Sequence, residues 1–183
     1  MNVEDQPAVL VAEDIDILSK YAQGKNRIVE LGTNYGGGSI VLAKFGKEVI
    51  TIDIFENIDL IDDAENKAHY KLLFDEDPYS FAAVSARLSK FANIKVIQNL
   101  TFAEAQNHKA VDMIFIDADH SYNGVKRDFE SWYGSVVPGG IIAFHDTIST
   151  GWPGIVKFIQ ELKQDNRVTF IELKGSVSVF KKI

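Results

Sequence analysis

The sequence predicts an α/β fold in which a doubly wound, mostly parallel sheet of about seven strands ends in an antiparallel C-terminal hairpin strand. Short apolar runs rich in Val and Ile alternate with helical patterns, which is typical of parallel strands covered by helices on both faces. The last two apolar runs are separated only by a Lys-Gly turn, which predicts the hairpin. No repeat and no Pro/Gly-rich linker divides the chain, so residues 1–183 are predicted to form one domain.

The elements follow from these patterns in chain order. A first helix is predicted because Ile15, Leu18, Tyr21 and Ala22 fall on one helical face before a glycine. Apolar runs predict strands at 27–31, 49–53, 94–97, 111–116 and 140–144, followed by hairpin strands at 168–173 and 176–180. Helical spacing predicts the connecting helices at 39–45, 78–91, 122–133 and 153–163.

The connection at residues 56–77 is longer than the usual loop and single helix. It contains eight acidic and two basic residues and a weak apolar pattern. Two interpretations are open. The segment is either an additional surface helix or a lid or acceptor-binding insertion near the carboxyl edge of the sheet.

Composition excludes several classes of protein. The chain has no cysteine, which excludes disulfides, thiolate zinc sites and iron–sulfur clusters. Its net charge of −7 without a basic patch argues against nucleic acid as a partner. No apolar run reaches the ~20 residues that cross a bilayer, and the first residues do not resemble a signal peptide. A cytoplasmic protein that does not bind membranes is expected.

A glycine-rich turn follows the first strand and predicts a nucleoside site. The pattern from Glu30 through Gly32 to Gly36 lacks the dinucleotide fingerprint, because Asn34 stands where a second glycine is required. A carboxylate before the turn suits a ligand with an ammonium or sulfonium charge better than a pyrophosphate. Asp53 ends the next strand, 21 residues after Gly32, where it can accept the hydroxyl protons of a ribose.

Residues 28–39 and 49–55, together with 111–122 and 137–146, resemble class I S-adenosylmethionine-dependent methyltransferases. The similarity is to the small O-methyltransferases related to the catechol, caffeoyl-coenzyme A and macrolide-sugar enzymes, and it spans roughly residues 15–180. The resemblance implies a Rossmann-like fold. It also implies transfer of a methyl group from S-adenosylmethionine to a hydroxyl oxygen of a small molecule, assisted by a divalent cation such as Mg²⁺ or Mn²⁺.

The resemblance also implies a set of cofactor contacts. The turn residues would surround the methionine part, Asp53 would bind the ribose and Ile54 would contact the adenine. Leu100 departs from the family pattern because it cannot accept a hydrogen bond from the adenine amino group. The implied cofactor-binding residues are Glu30, Gly32, Thr33, Asn34, Gly36, Asp53, Ile54, Asn99, Leu100, Thr101 and Asp117.

Acidic and histidine residues concentrate after two later strands. By resemblance, Asp117, His145 and Asp146 would hold the cation, and His145 would favour Mn²⁺, Fe²⁺ or Zn²⁺ over Mg²⁺. The candidate general base is His120, whose ordinary pKa suits proton transfer at neutral pH. Asp119 is the alternative base.

Other functions remain open at this point. A cofactor-binding domain of the same fold without catalysis is the main alternative, since Leu100 weakens base recognition. An oxidoreductase is disfavoured by the missing dinucleotide fingerprint, and a metal-dependent hydrolase leaves the Glu30–Asp53 pattern unexplained. The exposed hairpin edge favours a homodimer. The sequence does not identify the methyl acceptor.

Overall fold

The computed structural model describes residues 10–61, 67–68, 70–71 and 80–183. These residues form seven strands and six α-helices in an alternating order. The strands are β1 (Arg27–Leu31), β2 (Glu48–Asp53), β3 (Ile94–Gln98), β4 (Val111–Ile116), β5 (Val136–Phe144), β6 (Val168–Lys174) and β7 (Val177–Lys182). The helices are α1 (Ala12–Ala22), α2 (Gly37–Phe45), α3 (Phe81–Leu88), α4 (Thr101–Glu104), α5 (Tyr122–Tyr133) and α6 (Pro153–Leu162).

The strands form one sheet in the order β3-β2-β1-β4-β5-β7-β6. The first five in this order run parallel, and the last two are antiparallel to their neighbours. The strand order reverses between β1 and β4, where Leu31 aligns with Ile116. The predicted doubly wound sheet is confirmed, and its reversal point places the ends of β1 and β4 side by side.

Both faces of the sheet are buried, which explains why the strands read as continuous apolar runs. Val29 and Ile114 pack into a core that α5 and α6 cover, whereas Ile28 and Met113 pack into a second core that α1 and α2 cover. Successive residues of a strand point to opposite faces, so a strand with helices on both sides needs apolar residues at every position.

The predicted C-terminal hairpin forms one end of the sheet. β7 lies inside the sheet between β5 and β6, so β6 forms the edge. This order follows from burial, because Val177, Val179 and Phe180 are buried while Phe170 and Ile171 of β6 are exposed. The more apolar strand takes the inner position, where both of its faces are covered.

Two predictions concern the connection between β2 and β3. Helix α3 is capped by the hydroxyl of Ser80, which accepts a hydrogen bond from the backbone N–H of Ala83, and the predicted start at residue 78 lies outside the described residues. Only parts of 56–77 are described, including a 3₁₀ turn at Ile58–Leu60.

Among the described helices, none is both long and apolar enough to cross a bilayer.

Candidate functional site

The glycine turn after β1 lies directly against the end of β4. Gly32 has a φ of 90°, and a Cβ atom built on it would overlap the backbone carbonyl of Asp117, whose carbonyl carbon would be 2.7 Å away. Only glycine fits this combination of a left-handed backbone and a close approach. The backbone N–H of Asp117 donates to the carbonyl of Leu31, which holds the two strand ends together.

Asp53 holds this turn in place through backbone hydrogen bonds. Its carboxylate accepts from the N–H groups of Thr33 at 2.8 Å, Asn34 at 3.0 Å and Phe55 at 2.8 Å. Burial raises the pKa of Asp53, and these three hydrogen bonds oppose the increase. A carboxylate offers about four acceptor positions, so about one is left for a ribose hydroxyl. The predicted ribose contact stays a prediction, and the structure adds a role in shaping the turn.

Glu30 lies beneath the turn rather than on its surface. Its carboxyl group accepts hydrogen bonds from the hydroxyls of Ser39 and Thr51, and only 1% of the residue is exposed. Burial raises the pKa of Glu30 to about 8, and these hydroxyl hydrogen bonds oppose the increase. Glu30 is therefore mostly protonated at neutral pH, which does not support a charged Glu30 that attracts a sulfonium. Its contact with a cofactor stays a prediction.

The raised pKa of Glu30 makes stability depend on pH. The folded protein holds this proton more tightly than the unfolded chain, whose ordinary pKa is 4.5. The contribution of Glu30 to stability is therefore complete below about pH 4.5 and is lost as the pH rises through about 8. We expect Glu30→Gln to reduce the fall in unfolding free energy between about pH 5 and pH 8.5, as measured by urea denaturation.

Glu48→Gln is the matched control, since this exposed carboxylate pairs with Arg27 on the surface. We expect it to leave the fall in stability unchanged. If the unfolding free energy of Glu30→Gln falls with pH as much as that of the original protein, the raised pKa of Glu30 is contradicted.

The residues predicted on the adenine side lie near the end of β3 and mainly bond to neighbouring protein groups. Asn99 donates from its amide to Glu104 at 2.6 Å and accepts from the backbone N–H of Leu100 at 2.8 Å. The hydroxyl of Thr101 donates to Asp128 at 2.6 Å. These contacts fix the start of α4, and the predicted adenine contacts of these residues and of Ile54, which is half-buried, stay predictions.

Four side chains converge at the carboxyl ends of β4 and β5. Asp117 and His120 follow β4, His145 and Asp146 follow β5, and one ligand atom from each lies within 4.8 Å of the others. Asp146 has a φ of 54°, a left-handed conformation that aspartate adopts more readily than most residues other than glycine. The structure thus brings the three predicted ligands together and adds His120 to them.

The spacing of these atoms fits a bound divalent ion. His120 Nε2 lies 3.3 Å from Asp117 Oδ1 and 3.4 Å from Asp146 Oδ2. His145 Nδ1 lies 3.1 Å and 3.5 Å from the same two atoms. Atoms that are neighbours around one ion, at bonds of about 2.0–2.2 Å, lie roughly 3–3.6 Å apart. Both ring nitrogens are buried without a hydrogen-bond partner, which is unusual unless a ligand satisfies them.

The charges of this cluster also favour a cation. Burial lowers the pKa of His145, but the carboxylates of Asp117 and Asp146 raise it, with a net result of about 11. Burial raises the pKa of Asp117, but the two histidines lower it below its usual value. The surroundings therefore stabilise positive charge between the carboxylates, carried either by a proton or by a metal ion.

Asp119, the alternative base, packs against the start of α5 beside Gly124, and its role stays a prediction. Its carboxylate accepts a hydrogen bond from the backbone N–H of Ser121 at 2.8 Å, which places it at the start of α5. Burial raises the pKa of Tyr70, and the carboxylates of Asp119 and Asp53 raise it further. Tyr70 belongs to the 56–77 segment. Most of the segment predicted as a lid lies outside the described residues.

Two further residues lie beside the cluster. Asp14 of α1 is buried, and its Oδ2 lies 3.3 Å from His145 Nε2. Trp152 stacks on His120 with ring centroids 5.0 Å apart. The sequence did contain a signal for Asp14, because it lies on the same helical face as Ile17 and Leu18. A carboxylate on an apolar helix face requires a partner inside the protein.

Comparison with known proteins identifies the class of protein. A family model described as a methyltransferase domain matches residues 29–147. The match covers more than half of the chain, so the chain belongs to this methyltransferase family. The resemblance predicted from the glycine turn and the later strands is thereby confirmed.

Two curated relatives are themselves described as uncharacterized. One, from Sinorhizobium fredii, is 29% identical over 130 residues, which are 69% of this chain and 14% of that protein. The other, from Acanthamoeba polyphaga mimivirus, is 26% identical over 152 residues, which are 75% of this chain and 59% of that protein. The chain thus spans only part of the length of either relative.

Solved structures confirm the fold. The O-methyltransferase of Bacillus cereus in complex with SAH (S-adenosylhomocysteine) has a TM-score of 0.69 at 18% identity, covering 97% of this chain and 84% of that one. The cofactor-bound protein Rv0187 from MTB has a TM-score of 0.70 at 16% identity, covering 98% and 84%. A Staphylococcus aureus protein provisionally described as a caffeoyl-CoA O-methyltransferase has a TM-score of 0.68 at 18% identity, covering 99% and 88%. The chain has the Rossmann-like fold of class I methyltransferases.

Proposed function

We propose that this chain transfers the methyl group of S-adenosylmethionine to a hydroxyl oxygen of a small molecule, with help from a divalent cation. The position of Asp117 carries the proposal. Its backbone carbonyl packs closely against Gly32 of the glycine turn, while its side chain belongs to the cluster with His145 and Asp146. One residue thus joins the turn that would hold a methyl donor to the group of side chains that would hold an acceptor.

The glycine turn fits the amino-acid part of such a donor. The turn has no side chain at Gly32, and Asp53 fixes its backbone. When bound, S-adenosylmethionine supplies a methyl group on a positively charged sulfur, and S-adenosylhomocysteine is the product that remains. The carboxylate of Asp117, whose pKa is held below its usual value, provides negative charge beside the turn.

The cluster fits a cation that orients the acceptor. Asp117, His145 and Asp146 would hold it, leaving positions open for substrate oxygen. When bound, a divalent cation lowers the pKa of a hydroxyl and fixes its direction. The protein's own contribution is rigid placement, since well-oriented groups reach effective molarities of about 10⁵ M or more. The proton of the hydroxyl would leave to water or to a base near the bound acceptor.

Methyl transfer can be tested with isotopically labelled S-adenosylmethionine. We expect label to appear in at least one of a panel of catechols, phenols and sugars when Mg²⁺ or Mn²⁺ is present, because turn and cluster are adjacent. Calorimetry with S-adenosylhomocysteine measures cofactor binding separately. Binding without any labelled product would instead favour a non-catalytic cofactor domain, and no binding at all would contradict the proposal.

A further inference from the structure

We propose that His120 is a metal ligand rather than the proton acceptor. It would complete a site of two histidines and two carboxylates that binds a first-row transition-metal ion, such as Mn²⁺, Fe²⁺ or Co²⁺, in preference to Mg²⁺. The inference deepens the proposed function and rests on it only for the use of the site in methyl transfer.

The direction of the His120 ring supports this role. Its Nε2 faces the carboxylates of Asp117 and Asp146 at 3.3 Å and 3.4 Å, not an open space that an acceptor hydroxyl could enter. A general base needs its free nitrogen within reach of the substrate proton. Nε2 is buried and makes no hydrogen bond to either carboxylate. Two ring nitrogens and two carboxylate oxygens that converge in this way can share one bound ion.

His145 provides an independent observation. Its side chain is 3% exposed, and its Nδ1 is unpartnered and points into the cluster. On the other side of the ring, Nε2 lies 3.3 Å from Asp14 Oδ2. Metal-binding histidines typically donate their second ring N–H to a carboxylate, which leaves the first nitrogen as the free donor atom for the ion. Asp14 is in position to select this tautomer.

Asp14 is itself held firmly by the protein. Its Oδ1 accepts from the backbone N–H of Ser176 at 2.7 Å, and its Oδ2 accepts from the backbone N–H of Val11 at 3.1 Å. The ring of His120 is likewise fixed, because Trp152 stacks on it at an interplanar angle of 26°. Both imidazoles are therefore oriented before any ion binds, as a selective metal site requires.

The ligand types determine which ions fit. Mg²⁺ prefers oxygen ligands in a near-ideal octahedron and retains several waters. Imidazole suits transition metals, whose affinity for mixed nitrogen and oxygen sites exceeds that of the harder ions. With His120 included, half of the four protein ligands are nitrogen atoms. The proposed site therefore discriminates against Mg²⁺ by ligand chemistry.

The test compares chelator-treated protein with its His120→Gln variant. Calorimetry measures affinity for Mn²⁺, Co²⁺ and Mg²⁺, and pulsed electron paramagnetic resonance counts the imidazole nitrogens coupled to bound Mn²⁺. We expect Mn²⁺ to bind at least about 10-fold more tightly than Mg²⁺ and to couple to two imidazoles. In His120→Gln we expect a Mn²⁺ affinity about 10- to 100-fold lower and coupling to one imidazole.

His108→Gln is the matched control, because His108 is a buried histidine that pairs with Glu104 outside the cluster. This variant should bind Mn²⁺ with unchanged affinity, and the bound ion should still couple to two imidazoles. Circular dichroism confirms folding of each variant, and His120→Asn replaces the glutamine variant if that one is unfolded.

Three results would overturn the inference: both imidazole couplings persisting in His120→Gln, equal binding of Mg²⁺ and Mn²⁺ to the unchanged protein, or failure of the unchanged protein to bind Mn²⁺ at all. Binding of S-adenosylhomocysteine is measured on the same metal-free samples. If the unchanged protein does not bind S-adenosylhomocysteine, the proposed function is contradicted. The metal-binding results alone decide the role of His120.

Discussion

Replacing Gly32 with alanine is expected to lower the affinity for S-adenosylhomocysteine by at least about 100-fold, which corresponds to roughly 2.8 kcal/mol. The new Cβ would overlap the carbonyl of Asp117, and the backbone at φ 90° is unfavourable for alanine. Relief requires the ends of β1 and β4 to separate, which would distort both the turn and the cluster. Calorimetric titration measures the affinity, and urea denaturation should show a loss of about 3 kcal/mol or more in stability.

Gly24→Ala separates the effect of the overlap with Asp117 from the effect of backbone strain. Gly24 also has a positive φ, of 74°, but an added Cβ would meet no heavy atom within 4 Å. This control introduces the backbone strain of about 1–2 kcal/mol without the overlap, so its affinity for S-adenosylhomocysteine should be unchanged. Equal losses of affinity in both variants would show that the contact between Gly32 and Asp117 has no special role.

Replacing Asp14 with asparagine is expected to weaken Mn²⁺ binding by about 10- to 100-fold although Asp14 touches no ion. Both carboxylate oxygens face hydrogen-bond donors, from Ser176 on one side and from Val11 and His145 on the other. An asparagine amide must place its NH₂ group against one side. Facing His145, it would donate to Nε2 and move the ring proton to Nδ1, the atom that points into the cluster. Facing Ser176, it would leave only a neutral oxygen towards His145, which fixes the ring proton more weakly than a carboxylate does. Calorimetry with Mn²⁺ measures the loss.

Asp16→Asn is the matched control on the same helix. Asp16 is exposed, and its carboxylate pairs with Lys174 at the surface. We expect no change in Mn²⁺ affinity for this variant. A similar loss in both variants would indicate a general effect of charge, and unchanged binding in Asp14→Asn would contradict the tautomer argument.

The strands could be predicted because burial on both faces requires continuous apolar residues. Residues 111–116 of β4 were predicted with their correct bounds for this reason. The start of β5 was not, since the predicted strand begins at Gly140 whereas β5 begins at Val136 and passes through Pro138 and Gly139. The strand passes through them with an irregular register, and Gly139 has a φ of 78°. The backbone does depart from regular structure there, but pairing with β4 continues on either side.

The site was only partly predictable, since sequence spacing shows which residues end neighbouring strands but not where side chains point. The convergence of Asp117, His145 and Asp146 follows from strand order. The orientation of His120 towards the carboxylates and the burial of Glu30 depend on packing with other elements. Asp14 lies 131 residues before His145, and no local pattern connects the two.

The contacts of Asp14 also restrict how this polypeptide can be divided. They join α1 to the loop after β5 and to the turn between β6 and β7, where Ser176 lies 162 residues further along the chain. A fragment that lacks either the first helix or the last hairpin would lose the support of His145 while keeping every residue of the glycine turn. Minimal versions made for screening should therefore retain both regions, because trimming either one would remove the contacts that hold Asp14 against His145.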